Sequence, residues 1–182
     1  MKNSFMEEDV RTRLILSGIS ELGERGVRDF SLRRAAEMAG VSCAAPYRYF
    51  KDKESYISGI IAYVYEKWQL LCREVEKVHS DDGVRLVSAL AIVAVRFRLA
   101  NERLLSSLFI SEHRGELSIS DFDKPIVNAV SRLLGGTPCE IKSSNIRALI
   151  HGYVDLISNG DLPGGEETEN AIREAIVLFL NS

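Results

Sequence analysis

The chain has 182 residues, 46% hydrophobic and 27% charged, with 13 glycines, 4 prolines and a formal net charge of −3. This makeup excludes a disordered or collagen-like chain, and the length suits one domain or a small head on a larger body. The longest unbroken apolar run, 89–95, is far short of the roughly 20 residues that cross a bilayer, so no membrane span is expected.

Residues 1–9 carry three acids and no apolar export core, which predicts a cytoplasmic protein. Apolar residues then recur at helical spacing, and no Val/Ile/Thr-rich alternation is sustained, so the expected fold class is all-α. A first helix carries Val10, Leu14, Ile15, Ile19 and Leu22 and stops at Gly26; Ser31 caps a second through Leu32, Ala35, Ala36 and Met38, ended by Gly40. Ser42 offers a third cap for 43–50, and Asp52 opens a long fourth helix. In that helix Ile57, Ile61, Val64, Trp68, Leu71, Val75 and Val78 alternate spacings of four and three, predicting one straight apolar seam, either domain core or coiled coil, broken by Asp81-Asp82-Gly83. Residues 84–100 are apolar nearly all round, which marks a helix buried inside a bundle. Another apolar segment spans 104–110, and a polar, Ser-rich stretch follows. Pro125 starts a helix to Leu134 that ends at Gly135-Gly136-Thr137-Pro138; the last two helices are 141–158, closed by Asn159-Gly160, and 166–180. No internal repeat or low-complexity tract is present.

Between 25 and 53 seven basic residues meet three acidic ones, an excess that suits phosphate contact but also arises by chance. Two short helices joined by Gly40-Val41-Ser42 fit the helix-turn-helix arrangement, in which one helix crosses a DNA backbone and the next enters the major groove; an αα-corner without a ligand fits the same pattern. Residues 13–60 resemble the DNA-binding head of the tetracycline-repressor (TetR) family of transcription regulators. Gly26, Ser31-Leu32-Arg33, Ala39-Gly40-Val41-Ser42, Tyr47-Arg48-Tyr49-Phe50 and Lys51-Asp52-Lys53-Glu54 stand in that family's order and spacing. Ala44-Ala45-Pro46-Tyr47-Arg48 is similar to the subgroup named for a C-terminal Trp-His-Gly motif, and the stretch Ile150-His151-Gly152-Tyr153-Val154-Asp155-Leu156 resembles the motif's surroundings. The tryptophan is missing, with Arg147 about one turn before His151 in its place.

The resemblance implies a three-helix helix-turn-helix head at 1–52 and a helical ligand-binding and dimerisation domain at 53–182. It implies a homodimeric, ligand-responsive repressor on a palindromic operator in double-stranded DNA, with no cofactor and no enzymatic activity. The last two helices would form the dimer interface, where Ala171, Ile172, Ala175, Ile176 and Phe179 either face a partner or cover their own core. An all-α enzyme or small-molecule-binding protein that keeps the head as scaffold, and a regulator answering to a protein partner, are the rival readings.

The residues add chemistry to this. Arg48 can pair bidentately with a guanine edge, contact phosphate or form a surface ion pair. Ser42 caps the recognition helix, and Cys43, Ala44 and Ala45 bring its start close to the groove. Tyr47 and Tyr49 offer hydroxyls to phosphate or lie half in the core, and Phe50 belongs to the core. Pro46 is expected to stiffen the helix start without breaking it. Arg33 and Lys53, each at a helix head, are candidate phosphate anchors.

In the body Trp68, Phe97 and Phe109 predict a greasy site for a small, mainly apolar effector. Arg96, Arg98, His113, His151 and Tyr153 are candidates to orient it, although surface charges and a core histidine read equally well. His79, His113 and His151 lie far apart, and the three cysteines have no ligand spacing, so no metal is expected. His151 and Asp155, four apart on one helix face, fit a structural hydrogen bond or an acid/base pair.

Overall fold

Several helices of this chain begin or end where local hydrogen-bonding chemistry lets them. The computed structural model describes residues 2–110, 119–136 and 140–181. Among them are eight helices and no strand: α1 (Lys2–Asp29), α2 (Leu32–Met38), α3 (Lys53–Val78), α4 (Gly83–Ala100), α5 (Glu102–Ile110), α6 (Lys124–Leu133), α7 (Glu140–Ser158) and α8 (Glu166–Asn181). The fold is all-α, as the periodicity predicts. No helix among the described residues is long and apolar enough to cross a membrane.

The punctuation follows from side-chain chemistry. Gly26 interrupts α1 with φ 72° and ψ 174°, a region closed to residues with a Cβ, so the helix kinks there. Ser31 caps α2, its hydroxyl accepting from the Arg34 N–H at 3.4 Å. At the other end Gly40, with φ 66°, lets its own N–H reach the Glu37 carbonyl and the Val41 N–H reach that of Ala36, which satisfies the last carbonyls of α2. Asp52 and Ser55 cap α3 reciprocally: Ser55 N–H donates to Asp52 Oδ1 at 2.8 Å, and Asp52 N–H donates to Ser55 Oγ at 3.0 Å. Asp82 caps α4 through the Arg85 N–H at 3.0 Å.

The chain forms two compact units, Met1–Glu66 with Glu102–Ile119, and Lys67–Asn101 with Ser120–Ser182; α3 is one uninterrupted helix that contributes to both. In the first unit α1 packs on α2 and α5, and its core includes Leu14, Ile15, Leu22, Ala35, Phe50, Tyr56 and Ile60. In the second, α4 packs against α6, α7 and α8. That central position explains why Leu86, Val87, Leu90, Ala91, Ile92, Ala94 and Val95 are all buried.

The α3 seam departs from expectation. Ile57, Ile61, Val64 and Trp68 are buried, but the next buried position is Cys72, while Leu71 is 40% and Val78 73% exposed. A straight helix has 3.6 residues per turn, so a stripe spaced at 3.5 drifts around it, and after three turns the core faces a different residue.

One buried charge fastens the head. Glu21 on α1 is 2% exposed and accepts the Arg34 Nε at 2.7 Å and the Ser31 N–H at 3.3 Å. The Arg34 guanidinium also donates to the Asp29 carbonyl. Both ends of the α1–α2 corner thus close on one carboxylate. Glu21→Ala removes the acceptor from both donors and should destabilise the chain by about 1–3 kcal/mol. Urea denaturation checks this, and an unchanged midpoint would show that the corner holds without Glu21.

Candidate nucleic-acid interface

After Gly40 the chain runs to Phe50 without a regular helix. The Ala45 N–H donates to the Ser42 carbonyl at 2.9 Å, the Arg48 N–H to Ala45 at 3.1 Å, and the N–H groups of Tyr49 and Phe50 both reach the Pro46 carbonyl, at 3.0 and 2.9 Å. Only Pro46–Arg48 forms a 3-10 turn. Ala45 has helical angles, φ −60° and ψ −42°, so proline does not bend the path. What it removes is the N–H that would bond the Ser42 carbonyl and join the two turns into one helix. The third segment of the head is therefore shorter than the sequence suggests.

Its side chains divide cleanly. Ala45, Pro46 and Phe50 are buried, whereas Ser42, Cys43, Ala44, Tyr47 and Arg48 are exposed and Tyr49 is half-buried beside Phe50. Cys43 is a free thiol. Among the described residues the Arg48 guanidinium has no hydrogen bond or ion pair, and neighbouring Lys51 is exposed as well.

The two expected phosphate anchors are both in contact with protein groups. Arg33 donates through Nε to Glu37 at 2.9 Å, an exposed pair one turn apart, which contributes little and exchanges readily. Lys53 donates one N–H to the Arg28 carbonyl at 2.8 Å, tying the start of α3 to the end of α1, and its ammonium keeps two further donors.

In the second unit the aromatic residues pack on one another. Trp68 is 1% exposed, its indole N–H donates to the Phe122 carbonyl at 2.9 Å, and its ring lies 5.0 Å from that of Phe97, which in turn stacks at 6.2 Å on Phe122. Phe109 stands on α5 with its side chain outside the described residues, and His113 lies wholly outside them. Tyr153 is half-buried on α7. Arg96 reaches across to Glu169 at 2.6 Å.

The remaining candidates meet at a carboxylate that sequence reasoning missed. Asp123 is 3% exposed and accepts Arg98 Nη2 at 2.6 Å and Arg147 Nε at 2.8 Å on its two oxygens. His151 turns to Arg98, whose Nη1 lies 3.3 Å from its Nε2. Partial displacement of water from the ring, and next the Arg98 charge, lower the His151 pKa, although the residue as a whole stays exposed. Burial lowers the Arg98 pKa too, against the pull of Asp123. Arg147, where a tryptophan was expected, is thus half of a clamp on Asp123. The signal was weak: one of two aspartates shortly before Pro125, paired with partners 24 and 25 positions away. No cluster of three or more metal-ligating side chains occurs among the described residues.

No protein-family model matches the chain, and no curated protein matches it in sequence. Solved structures share its fold over nearly the full length. A protein of unknown function from Rhodococcus sp. RHA1 is 22% identical with a TM-score of 0.74, covering 94% of each chain. A TetR-family member from Streptomyces coelicolor A3 is 18% identical with a TM-score of 0.70, covering 93% of this chain and 97% of that one. NalD of Pseudomonas aeruginosa, the secondary repressor of the MexAB-OprM multidrug efflux pump, is 22% identical with a TM-score of 0.66, covering 95% and 96%. The fold is that of TetR regulators, a helix-turn-helix head with a helical domain.

The Asp123 clamp makes a quantitative demand. Asp123→Ala strands the buried Arg98 charge and should cost about 3–5 kcal/mol. Arg147→Ala, which removes a part-exposed partner and leaves the Arg98 pair intact, should cost about 1 kcal/mol. Equal losses for the two variants in urea denaturation would show that Arg98 does not depend on Asp123.

Proposed function

We propose that this chain is a TetR-family transcription regulator, a repressor that binds a palindromic operator in double-stranded DNA as a homodimer in the cytoplasm and responds to a small, mainly apolar effector. Residues 1–52 are the reading head, and 53–182 hold the effector and the dimer contacts. The observation that carries this reading is the Ser42–Arg48 turn. It presents small or polar side chains and one uncommitted guanidinium, and it sits in a fold shared with known repressors. The function is non-enzymatic. The His-Gly of 151–152 supports kinship with the Trp-His-Gly subgroup, with Arg147 replacing the tryptophan.

On DNA, Arg48 is assigned to a guanine edge, where a bidentate pair discriminates among bases. Cys43, Ala44 and, through its backbone, Ala45 line the approach, and Ser42, Tyr47 and Tyr49 serve phosphate. Arg33 and Lys53 anchor the backbone: Arg33 exchanges Glu37 for phosphate, and Lys53 uses its two remaining donors. On an operator bound by the wild type, Arg48→Ala should cost about 1–3 kcal/mol and relax preference at one base of each half-site. Lys53→Ala should weaken all single-base variants alike and reduce the salt slope by about 1. Competition binding reads both, and uniform losses for Arg48→Ala would remove it as a base reader.

The dimer proposal is sharpened by burial. Ile172, Ile176 and Leu180 of α8 are already buried within the single chain, so a partner would meet the opposite stripe of α8, at Ala171 and Leu178, and the exposed Ile141 and Leu156 of α7. Ile141 is 75% and Leu178 72% exposed. Leu178→Glu leaves the chain's own core untouched but would bury an unpaired charge between subunits, so it should give folded monomers with weak operator binding. Sedimentation at micromolar concentration decides, and an intact Leu178→Glu dimer would place the interface elsewhere.

A further inference from the structure

We propose that a cleft in the second unit, between the start of α4 and α8, binds a small amphiphilic anion: one carboxylate-like headgroup on a short apolar body. The cleft has a volume of about 430 Å³, within the range of small-molecule sites. It is not the Trp68–Phe97 region to which the sequence points; its walls come from His79, the first turns of α4 and the middle of α8.

Two independent observations define what it would hold. The first is Ser88, which lines the cleft, is 2% exposed, and has a hydroxyl with no hydrogen-bond partner among the described residues. A helical serine ordinarily satisfies its hydroxyl on the carbonyl one turn back or in water. Left orphaned in a wall, it lowers stability unless a ligand atom completes it.

The second observation is charge. Asp82 is the one carboxylate of the lining, and it is committed: one oxygen caps α4 on the Arg85 N–H at 3.0 Å and the other takes Arg85 Nε at 3.1 Å. Asp82 and Arg85 thus cancel. Arg173 donates to the amide oxygen of Asn170 and pairs with no carboxylate among the described residues, leaving the cleft a net positive charge. The N-terminal dipole of α4 has the same sign. Val84, Ala89 and Val177 complete the lining with apolar surface. A headgroup held by Arg173 with the Ser88 hydroxyl donating to it, and an apolar remainder on the valines, uses every one of these features.

This site deepens the effector part of the reading above and rests on it, but not on its DNA part. Titration calorimetry of the full chain with octanoate, octyl phosphate and 1-octanol tests it. An anionic probe should bind at least about tenfold more tightly than 1-octanol, and Arg173→Gln should erase that difference. Preference for octyl phosphate over octanoate keeps the site and assigns a phosphate-like headgroup. Ser88→Ala should raise the thermal midpoint, because the orphan hydroxyl is gone, and weaken the anionic probe several-fold; a purely structural serine would move the midpoint alone. The proposal is overturned if no probe binds, if 1-octanol binds as well as both anionic probes, or if both variants bind like the wild type. Operator binding on the same samples separates the two readings: if the operator is bound and no probe binds at all, this site falls and the DNA-binding assignment stands.

Discussion

Tyr56 is wholly buried, its ring stacked on Phe50 at 4.2 Å and edge-on to Phe30 at 5.3 Å, while its hydroxyl donates to the Leu14 carbonyl of α1. This contact holds three parts of the head together, because Phe30 ends the α1 corner, Phe50 ends the Pro46–Arg48 turn, and Tyr56 itself lies on α3. Two glycines permit it. A Cβ at Gly18 would stand 2.7 Å from the Ile60 side chain, and one at Gly59 would stand 2.8 Å from the Phe50 ring. Phe50 closes the turn that carries Arg48 and is itself fixed by Tyr56, so the placement of Arg48 derives from Phe50, and that of Phe50 from Tyr56. The same α3 helix carries Trp68, twelve residues further on, inside the second unit's core.

Charge is used in two ways in this chain. Glu21 and Asp123 are buried carboxylates that each gather donors from residues distant in sequence, and in doing so they commit Arg34, Arg98 and Arg147 to the fold. A cation so committed is costly to recruit for anything else. Arg48 lies outside any such clamp, and Arg33 and Lys53 are only loosely engaged. The proposed DNA-binding role thus falls on the cations the fold leaves free, which a count of basic residues in the head does not distinguish.

That distinction marks where the sequence is legible. Helix boundaries at Ser31, Gly40, Asp52 and Gly160 could be read because a cap or a positive φ depends on a few adjacent residues. The burial of most of α4, where only Arg85, Arg96 and Ala100 are exposed, followed from composition alone. Pro46 is legible in part: Ala45 keeps helical angles, but with no N–H at Pro46 the segment is a 3-10 turn and not a helix. Pairings across 13 to 25 positions, such as Glu21 with Arg34 or Asp123 with Arg98, leave no local trace. Nor does periodicity say which face of α8 meets its own core; Ile172 and Ile176 do so, which moves any partner contact to the other side. The orphan Ser88 hydroxyl is likewise visible only once its neighbours are in place.

The central claim is that a pair of these heads reads DNA through the turn that Tyr56 and Phe50 support. A hydroxyl-radical footprint, on a duplex the protein has selected from a random pool, tests it most directly. The account predicts two protected segments related by a dyad, with centres about one helical turn, roughly 10 base pairs, apart. Failure to select any duplex, or a single protected stretch without symmetry, would contradict it.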